Sequence, residues 1–475
     1  MTPVPAQLPN LFLADLGPAL SLSPATIREA CLAVRRNRAD WLARQRTRNL
    51  VELIAYTAEQ WLQPDYGFRR LALAQGPAEL GFGRATLARG LDAFFRQVTV
   101  ENLESLLAQD LGDPHRLDDF AAGVPEARQG RSALARGPEL LVHVTAGNLP
   151  NPAWTSLLLG VLLKSGQVMK CASRASLLPR LFAHSLAHTE PKLGACLELV
   201  VWPGGNPALE ELLFAEADCL TATGGNEMLE DVRRRIPLRT RFIAHGHRVS
   251  FGFVSGDVLS SYSARRAVRD AAADLTAWNQ QGCLSPHVLY VEDQGAVSAE
   301  GFAEMLAAEL ARLESEDPRG ELSLEESAAI ASRRAVYELR AALPPSAGER
   351  PRVESAFQDL PSGVRLWKSE PSTAWTVVLD SDPRFEFSYL NRFIYVKPVR
   401  RFADVLHFAE PVRPQVSTVG VAAVDGRAQE IARDFARWGV PRVCPLGRMQ
   451  DPPLAWRHDG LPALADLVSW TDLEN

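Results

Sequence analysis

The 475-residue chain lacks the marks of several protein classes. It has no basic excess: 51 Lys and Arg against 57 Asp and Glu leave a net charge of −6 and a pI near 5.9. That argues against a nucleic-acid partner, whose binding leaves a basic footprint. The longest apolar run, Leu157–Leu163, is broken by Gly160 and stopped by Lys164, far short of the roughly 20 residues that cross a bilayer. The opening MTPVPAQLPNLFLADLG has no basic n-region and is not expected to act as a secretory signal. Six cysteines (Cys31, Cys171, Cys196, Cys219, Cys283, Cys444) are scattered without a CxxC pair. They form no disulfide framework, and reduced thiols in a cytoplasmic enzyme are expected. Neither GxGxxG nor a P-loop occurs.

What remains is globular, with 46% hydrophobic and 23% charged residues and a length suited to two large domains or about three. Residues 1–130 read as helices and loops, with Arg35, Arg36, Arg38, Arg44, Arg46 and Arg48 predicted to form a solvated face. From 139 strands and helices alternate. Strands are predicted at Leu140–Thr145, Val168–Cys171, Leu197–Trp202, Cys219–Thr223 and Arg241–Ala244, and helices at Ala153–Lys164, Leu177–His188, Pro207–Glu216 and Glu227–Ile236. This βαβ series implies an α/β fold with a doubly wound, mostly parallel sheet. Ligands bind such sheets at the carboxyl ends of the strands. The turns there are Ala146–Asn148, Cys171–Arg174, Gly204–Asn206 and Gly224–Asn226. Further on, Ser298–Glu314 reads as a helix, Ser315–Leu322 and Leu343–Arg352 as exposed loops, and Trp375–Leu379 and Phe393–Val396 as strands. After Val416 comes strand, helix and strand, then a Pro-rich tail.

The stretch WNQQGCLSPHVLYV (278–291) concentrates the chemical interest. Ala264, Val268, Ala271, Leu275 and Trp278 recur at helical spacing, and the helix is predicted to end at Gly282. A strand is predicted beyond Pro286. Cys283 thus sits on a loop between two packed elements, a suitable place for a nucleophile. A helix C-terminus disfavours the thiolate, so another group must activate it. Cys171, Cys196 and Cys219 read as buried small hydrophobes and Cys444 as a buried strand residue.

Four segments together resemble the acyl-CoA reductases of the bacterial bioluminescence operon, the LuxC-like family within the aldehyde dehydrogenase superfamily. They are HVTAGNLPNPAW (143–154), TATGGNEM (221–228), WNQQGCLSPHVLYVE (278–292) and RVCPLGRMQDPPLAWRHDG (442–460). The resemblance implies an aldehyde dehydrogenase-like fold with a helical N-terminal region (1–130), a Rossmann-type cofactor domain (131–245) and an α/β catalytic domain (246–415). A C-terminal segment (416–475) would return to the cofactor domain or an oligomer interface.

By resemblance, Cys283 is the catalytic cysteine and Asn148 helps form the oxyanion hole, together with the Cys283 backbone N–H. Lys170 would hold the adenosine ribose. Ser173 stands where NAD-preferring relatives often carry glutamate, and Arg174 follows. A small neutral side chain and a guanidinium tolerate a 2′-phosphate, so NADPH is the expected cofactor. Gly204, Gly205, Thr223, Gly224 and Gly225 would admit it, with glycine packing as the alternative. Oxidising relatives carry a water-activating glutamate where this chain reads His245–Gly246–His247–Arg248. The missing carboxylate fits reductive chemistry, which gains nothing from hydrolysing an acyl-enzyme. His245, then His247, are the candidate proton carriers. No metal is expected, because the HxH pair has no evident third ligand. Glu386 aligns with the family's cofactor-ribose glutamate only with a shift, and His458 and Asp459 carry no assigned role. The expected reaction is NADPH-dependent reduction of a long-chain fatty acyl-CoA, or of an acyl group delivered by an acyl-protein synthetase, in a homo-oligomer. Aldehyde oxidation and non-redox acyl transfer are the alternatives.

Overall fold

The computed structural model describes residues 8–16, 22–342 and 363–474. The loop expected at Leu343–Arg352 lies outside the described residues. The strands run in chain order as β1 (Arg131–Arg136), β2 (Leu140–Val144), β3 (Gly166–Cys171), β4 (Leu197–Val201), β5 (Cys219–Thr223), β6 (Arg241–His245), β7 (Val249–Val254), β8 (Pro286–Glu292), β9 (Val364–Lys368), β10 (Thr376–Asp380), β11 (Phe393–Val399), β12 (Val416–Ala422), β13 (Arg442–Pro445) and β14 (Ser469–Glu474). Two compact units contain them. Unit 1 holds 1–80, 88–247 and 453–475, and unit 2 holds 81–87 and 248–452.

In unit 1 five parallel strands lie in the order β4-β3-β2-β5-β6. Each predicted strand and helix of the βαβ series is present, with ends displaced by no more than two residues. β2 and β3 are buried throughout, as strands covered on both faces must be. The chain lays β2, β3 and β4 outward in one direction, then returns to place β5 and β6 on the other side of β2. This reversal puts the topological switch point between β2 and β5, at their carboxyl ends. The N-terminal helix Pro24–Asp40 begins at Ser23, whose hydroxyl accepts the Thr26 N–H at 3.2 Å. It buries Ile27, Cys31 and Val34 among Val142, Val168 and Val200. Its arginines are not all a solvated face. Arg35 donates to Asp218 at 2.9 Å and to the Glu216 carbonyl at 2.6 Å, and Arg38 donates to the Lys164 carbonyl at 2.9 Å. Residues more than a hundred positions away supply these partners, so local spacing could not show them. β14, a strand absent from the sequence reading, pairs antiparallel with β1.

Unit 2 is a seven-stranded sheet in the order β13-β12-β7-β8-β11-β10-β9, parallel except for the edge strand β9. β8 is central and wholly buried. Its residues alternate faces: Leu289 and Val291 pack with Val268, Leu275, Phe302 and Leu306, while Val288 and Tyr290 pack with Phe251, Tyr395, Ile431 and Phe435. The strand, helix and strand expected after Val416 are β12, the helix Asp425–Trp438 and β13. They complete this sheet, so the chain stays in unit 2 well past 416.

Two local expectations are corrected. Ser315–Leu322 is not all exposed loop: the helix Ala299–Glu316 runs into it, and Asp317 is buried. The helix before Cys283 ends at Thr276 rather than Gly282. Trp278, Asn279 and Gln280 then take left-handed φ values of 50°, 50° and 64°, which no apolar periodicity reveals.

Candidate active site

Burial divides the cysteines. It pushes the thiols of Cys31, Cys171, Cys219 and Cys444 up to about 12 and that of Cys196 up to about 11. These five are held as unreactive thiols. Cys283 is half-buried, in the turn that leads into the central strand β8.

That turn is fixed at several atoms. The Ser285 N–H donates to the Gly282 carbonyl at 2.9 Å. The Ser250 hydroxyl donates to the Cys283 carbonyl at 2.7 Å and accepts the Thr418 N–H at 3.1 Å. Register shifts at Ser250/Gly252 and Val416/Thr418 bring these groups out of the regular ladder. The Gln450 amide reaches the Ser285 hydroxyl at 2.6 Å. The loop carrying Gln450 is pinned in turn by Asp274, which accepts the N–H groups of Gly447 at 2.6 Å and Met449 at 2.9 Å. Burial outweighs those bonds and raises the Asp274 carboxyl to about 7.

Behind the turn, two left-handed triplets hold each other. Leu390, Asn391 and Arg392 have φ of 57°, 54° and 65°. Non-glycine residues there are strained by roughly 1–2 kcal/mol each and persist only where surroundings over-determine them. Here they do. Arg392, fully buried, donates to Asn279 at 3.2 Å, to Glu314 at 2.8 Å and to the Asp317 carbonyl at 3.1 Å. Gln281 donates to Asn391 at 3.0 Å, and the Gln280 amide to the carbonyls of Pro286 at 2.7 Å and Phe393 at 2.8 Å. His287, which sequence reasoning passed over inside its own motif, accepts the Ser388 N–H at Nδ1 (3.0 Å) and fastens that loop to β8. Glu386 accepts from Arg333 and from the Tyr337 hydroxyl at 2.8 Å.

In unit 1 the candidate cofactor residues line one edge of the sheet. Asn148 lies exposed between β2 and the helix Asn151–Leu162. Lys170, near the end of β3, is buried with its ammonium 5.6 Å over the Trp202 ring, and burial lowers its proton affinity. Ser173 donates to the Trp202 carbonyl at 3.2 Å, and Ser173 and Arg174 are exposed. The buried Trp202 Nε1 has no hydrogen-bond partner among the described residues. A Cβ on Gly204, Gly205 or Gly225 would meet nothing within 4 Å, whereas one on Gly224 would strike Met228 at 2.3 Å. The Met228 atom is the terminal methyl of a flexible side chain that can move aside, so packing does not by itself require glycine at 224, and the other three border open space. Thr223 ends β5, and Gly224 N–H donates to the His245 carbonyl at 3.1 Å. Two cations, an unsatisfied indole N–H and open backbone suit a phosphorylated dinucleotide.

His247 is exposed, its backbone N–H bonded to Asn226 at 3.0 Å. His245 ends β6 and meets the tail instead: its Nδ1 is 3.5 Å from Oδ2 of Asp459, and its ring stacks on His458 at 4.3 Å. The carboxylate absent from the local sequence is therefore present in space, supplied from 214 residues farther along the chain (459 − 245).

A family model described as acyl-CoA reductase (LuxC) matches residues 42–470. The chain belongs to the LuxC acyl-CoA reductase family. One relative of this LuxC chain is the long-chain acyl-protein thioester reductase of Vibrio harveyi, 22% identical over 442 residues, 92% of this chain and 84% of the relative. Among solved structures, a bifunctional proline utilization A protein superposes with a TM-score of 0.71 at 16% identity over 96% of this chain, which spans 45% of that longer protein. The Δ-pyrroline-5-carboxylate dehydrogenase of Mycobacterium tuberculosis gives 0.65 at 15% identity, covering 95% of this chain and 83% of that one. The LuxC fold is thus aldehyde dehydrogenase-like. No described helix is long and apolar enough to cross a membrane.

Proposed function

We propose that the chain reduces a long-chain fatty acyl thioester to the aldehyde, with NADPH as reductant and an acyl group held on Cys283. The reading is carried by Cys283 itself, half-buried on a many-times-anchored turn, while burial raises the other five thiols. Relatives named long-chain acyl-protein thioester reductases support a donor acyl group carried on a protein; an acyl-protein synthetase is the proposed carrier, and free acyl-CoA the proposed second donor. In the transfer, the Cys283 sulfur bonds the carbonyl carbon, the donor C–S bond breaks, and the thiol proton ends on the departing thiolate. His245 is the proposed proton carrier and His247 its alternative. Asn148 and the Cys283 backbone N–H are the proposed donors to the oxyanion.

Lys170, Ser173, Arg174 and the backbone at Gly204, Gly205, Thr223, Gly224 and Gly225 are the proposed grip on the cofactor. A bound nicotinamide cofactor supplies the hydride. With that hydride on the carbonyl carbon and one proton from solvent on its oxygen, the thiohemiacetal on Cys283 breaks its C–S bond, the hydroxyl proton passes to sulfur, and aldehyde leaves as the thiol is restored. The active form is proposed to be a cytoplasmic homo-oligomer. The test is to load the protein with labelled long-chain acyl-CoA, isolate the acyl-enzyme, and chase with NADPH. Labelled aldehyde is expected, and Cys283→Ala should lose the label and at least about 10³-fold in turnover. Full turnover in Cys283→Ala, or free acid as the product, would reject the proposal.

A further inference from the structure

The tail that follows unit 2 brings a buried carboxylate to the end of β6. Asp459 sits on a short turn, His458–Gly460, in the left-handed region with φ 55° and ψ 25°. Aspartate tolerates that region better than most residues, but the conformation is still unusual and needs support. Its effect is to turn the carboxylate inward: the Asp459 side chain is 2% exposed and faces Nδ1 of His245 at 3.5 Å. That nitrogen and the facing Asp459 Oδ2 are both buried, and at this separation they stand at ion-pair distance without a hydrogen bond between them. The His245 side chain as a whole is 20% exposed, so its solvent-facing part is not Nδ1. One face of the ring is covered by His458 with planes 6° from parallel, and His458 is backed by Trp456 at 4.8 Å. The ring is held at an edge and on a face.

We infer that Asp459 is a positioning residue for His245, fixing the imidazole as its Nδ1–H tautomer so that Nε2 is the lone-pair nitrogen. A carboxylate beside one ring nitrogen selects the tautomer that donates to it and steadies the imidazolium when a proton arrives. The separation is long for a hydrogen bond, as such pairs are before substrate tightens them. Because Asp459 is almost wholly covered, it reaches substrate or water only through the histidine, which separates it from a water-activating glutamate. The same three side chains are also metal-ligand types, with ligand atoms within 4.8 Å of one another. Two parallel rings stacked at 4.3 Å, however, send their in-plane lone pairs side by side instead of converging on one ion. The geometry favours proton placement over metal binding.

The inference rests on the proposed role of His245, and the experiment separates the two. Full-length protein labelled with ¹⁵N-histidine is examined by NMR at pH 8, with the His245 signals assigned by their loss in His245→Gln. A protonated, pyrrole-type Nδ1 is expected in the wild type. Asp459→Asn suits the left-handed backbone but removes the charge, and should move the population toward Nε2–H while slowing acyl-enzyme formation about 10- to 100-fold. A wild-type Nε2–H tautomer overturns the pairing, and this spectrum decides even where Asp459→Asn fails to fold. A changed tautomer with undiminished acyl-enzyme formation upholds the positioning and overturns the proton-carrier role of His245.

Discussion

Arg392 offers the sharpest test of how the Cys283 turn is built. Replacing it with methionine keeps the length and apolar stem but deletes a guanidinium that meets Asn279, Glu314 and the Asp317 carbonyl. Glu314 is a quarter exposed and can turn to water, whereas Asn279 is 2% exposed and cannot. Bonds to a charged donor are worth about 1.5–3 kcal/mol, and removing one partner of a buried ionic network costs about 3–5 kcal/mol. The loss should fall in that upper range, because a buried acceptor is abandoned and the strained triplets at 278–280 and 390–392 lose their clamp. Urea unfolding should place the unit 2 transition about 3–5 kcal/mol lower. Iodoacetamide should also modify Cys283 faster as the turn loosens. Arg392→Lys, which keeps the charge without the planar fork, should fall between. A variant within 1 kcal/mol of wild type with unchanged Cys283 alkylation would refute the claim that this clamp holds the turn.

Two further outcomes are expected. Burial raises Glu198 to about 7 although its carboxylate accepts the N–H groups of Leu13 at 2.8 Å and Leu199 at 3.0 Å. The folded chain therefore binds more protons than the unfolded one between about pH 4.5 and 7, and stability falls as pH rises through that window. Glu198→Gln keeps the acceptor oxygen without the charge. It should exceed wild type by up to about 3 kcal/mol above pH 7 and converge with it near pH 4.5 in pH-dependent unfolding. For the cofactor, Arg174→Glu should raise the KM for NADPH about 10- to 100-fold while leaving that for NADH little changed, since a charge-assisted phosphate contact becomes a repulsion. Equal effects on both cofactors would remove Arg174 from 2′-phosphate recognition.

The parallel sheet of unit 1 was legible because each of its strands and helices announces itself through its own apolar pattern, whereas β7 and β9 of unit 2 went unread. β5, predicted at Cys219–Thr223, is found there unchanged, and the turns with Asn148, Arg174 and Gly225 fall at its edge because topology dictates that edge. What stayed hidden was decided by partners far along the chain. The left-handed path of Trp278–Gln280 depends on Arg392, and the exposed loop expected after Ser315 is instead held by a buried Asp317 carbonyl. His458 and Asp459 read as a featureless dipeptide until the tail returned them to β6. The five inert thiols illustrate a middle case. Apolar flanks suggested burial for Cys171, Cys196 and Cys219, but only the fold shows that Cys31 is buried too and that Cys444, expected to be buried, is partly exposed with its thiol still raised by burial.

The nesting of one unit within the other has a consequence for synthesis. Residues 453–475 complete unit 1, yet they follow the whole of 248–452 in the chain. A nascent polypeptide therefore emerges with its seven-stranded sheet already translated while β1 still lacks β14 and His245 still lacks Asp459. Domains tend to fold as units during translation, so the inner unit can settle first and the outer one closes last. A chain whose synthesis stops after residue 283 but before residue 459 bears Cys283 and lacks the histidine–aspartate pair.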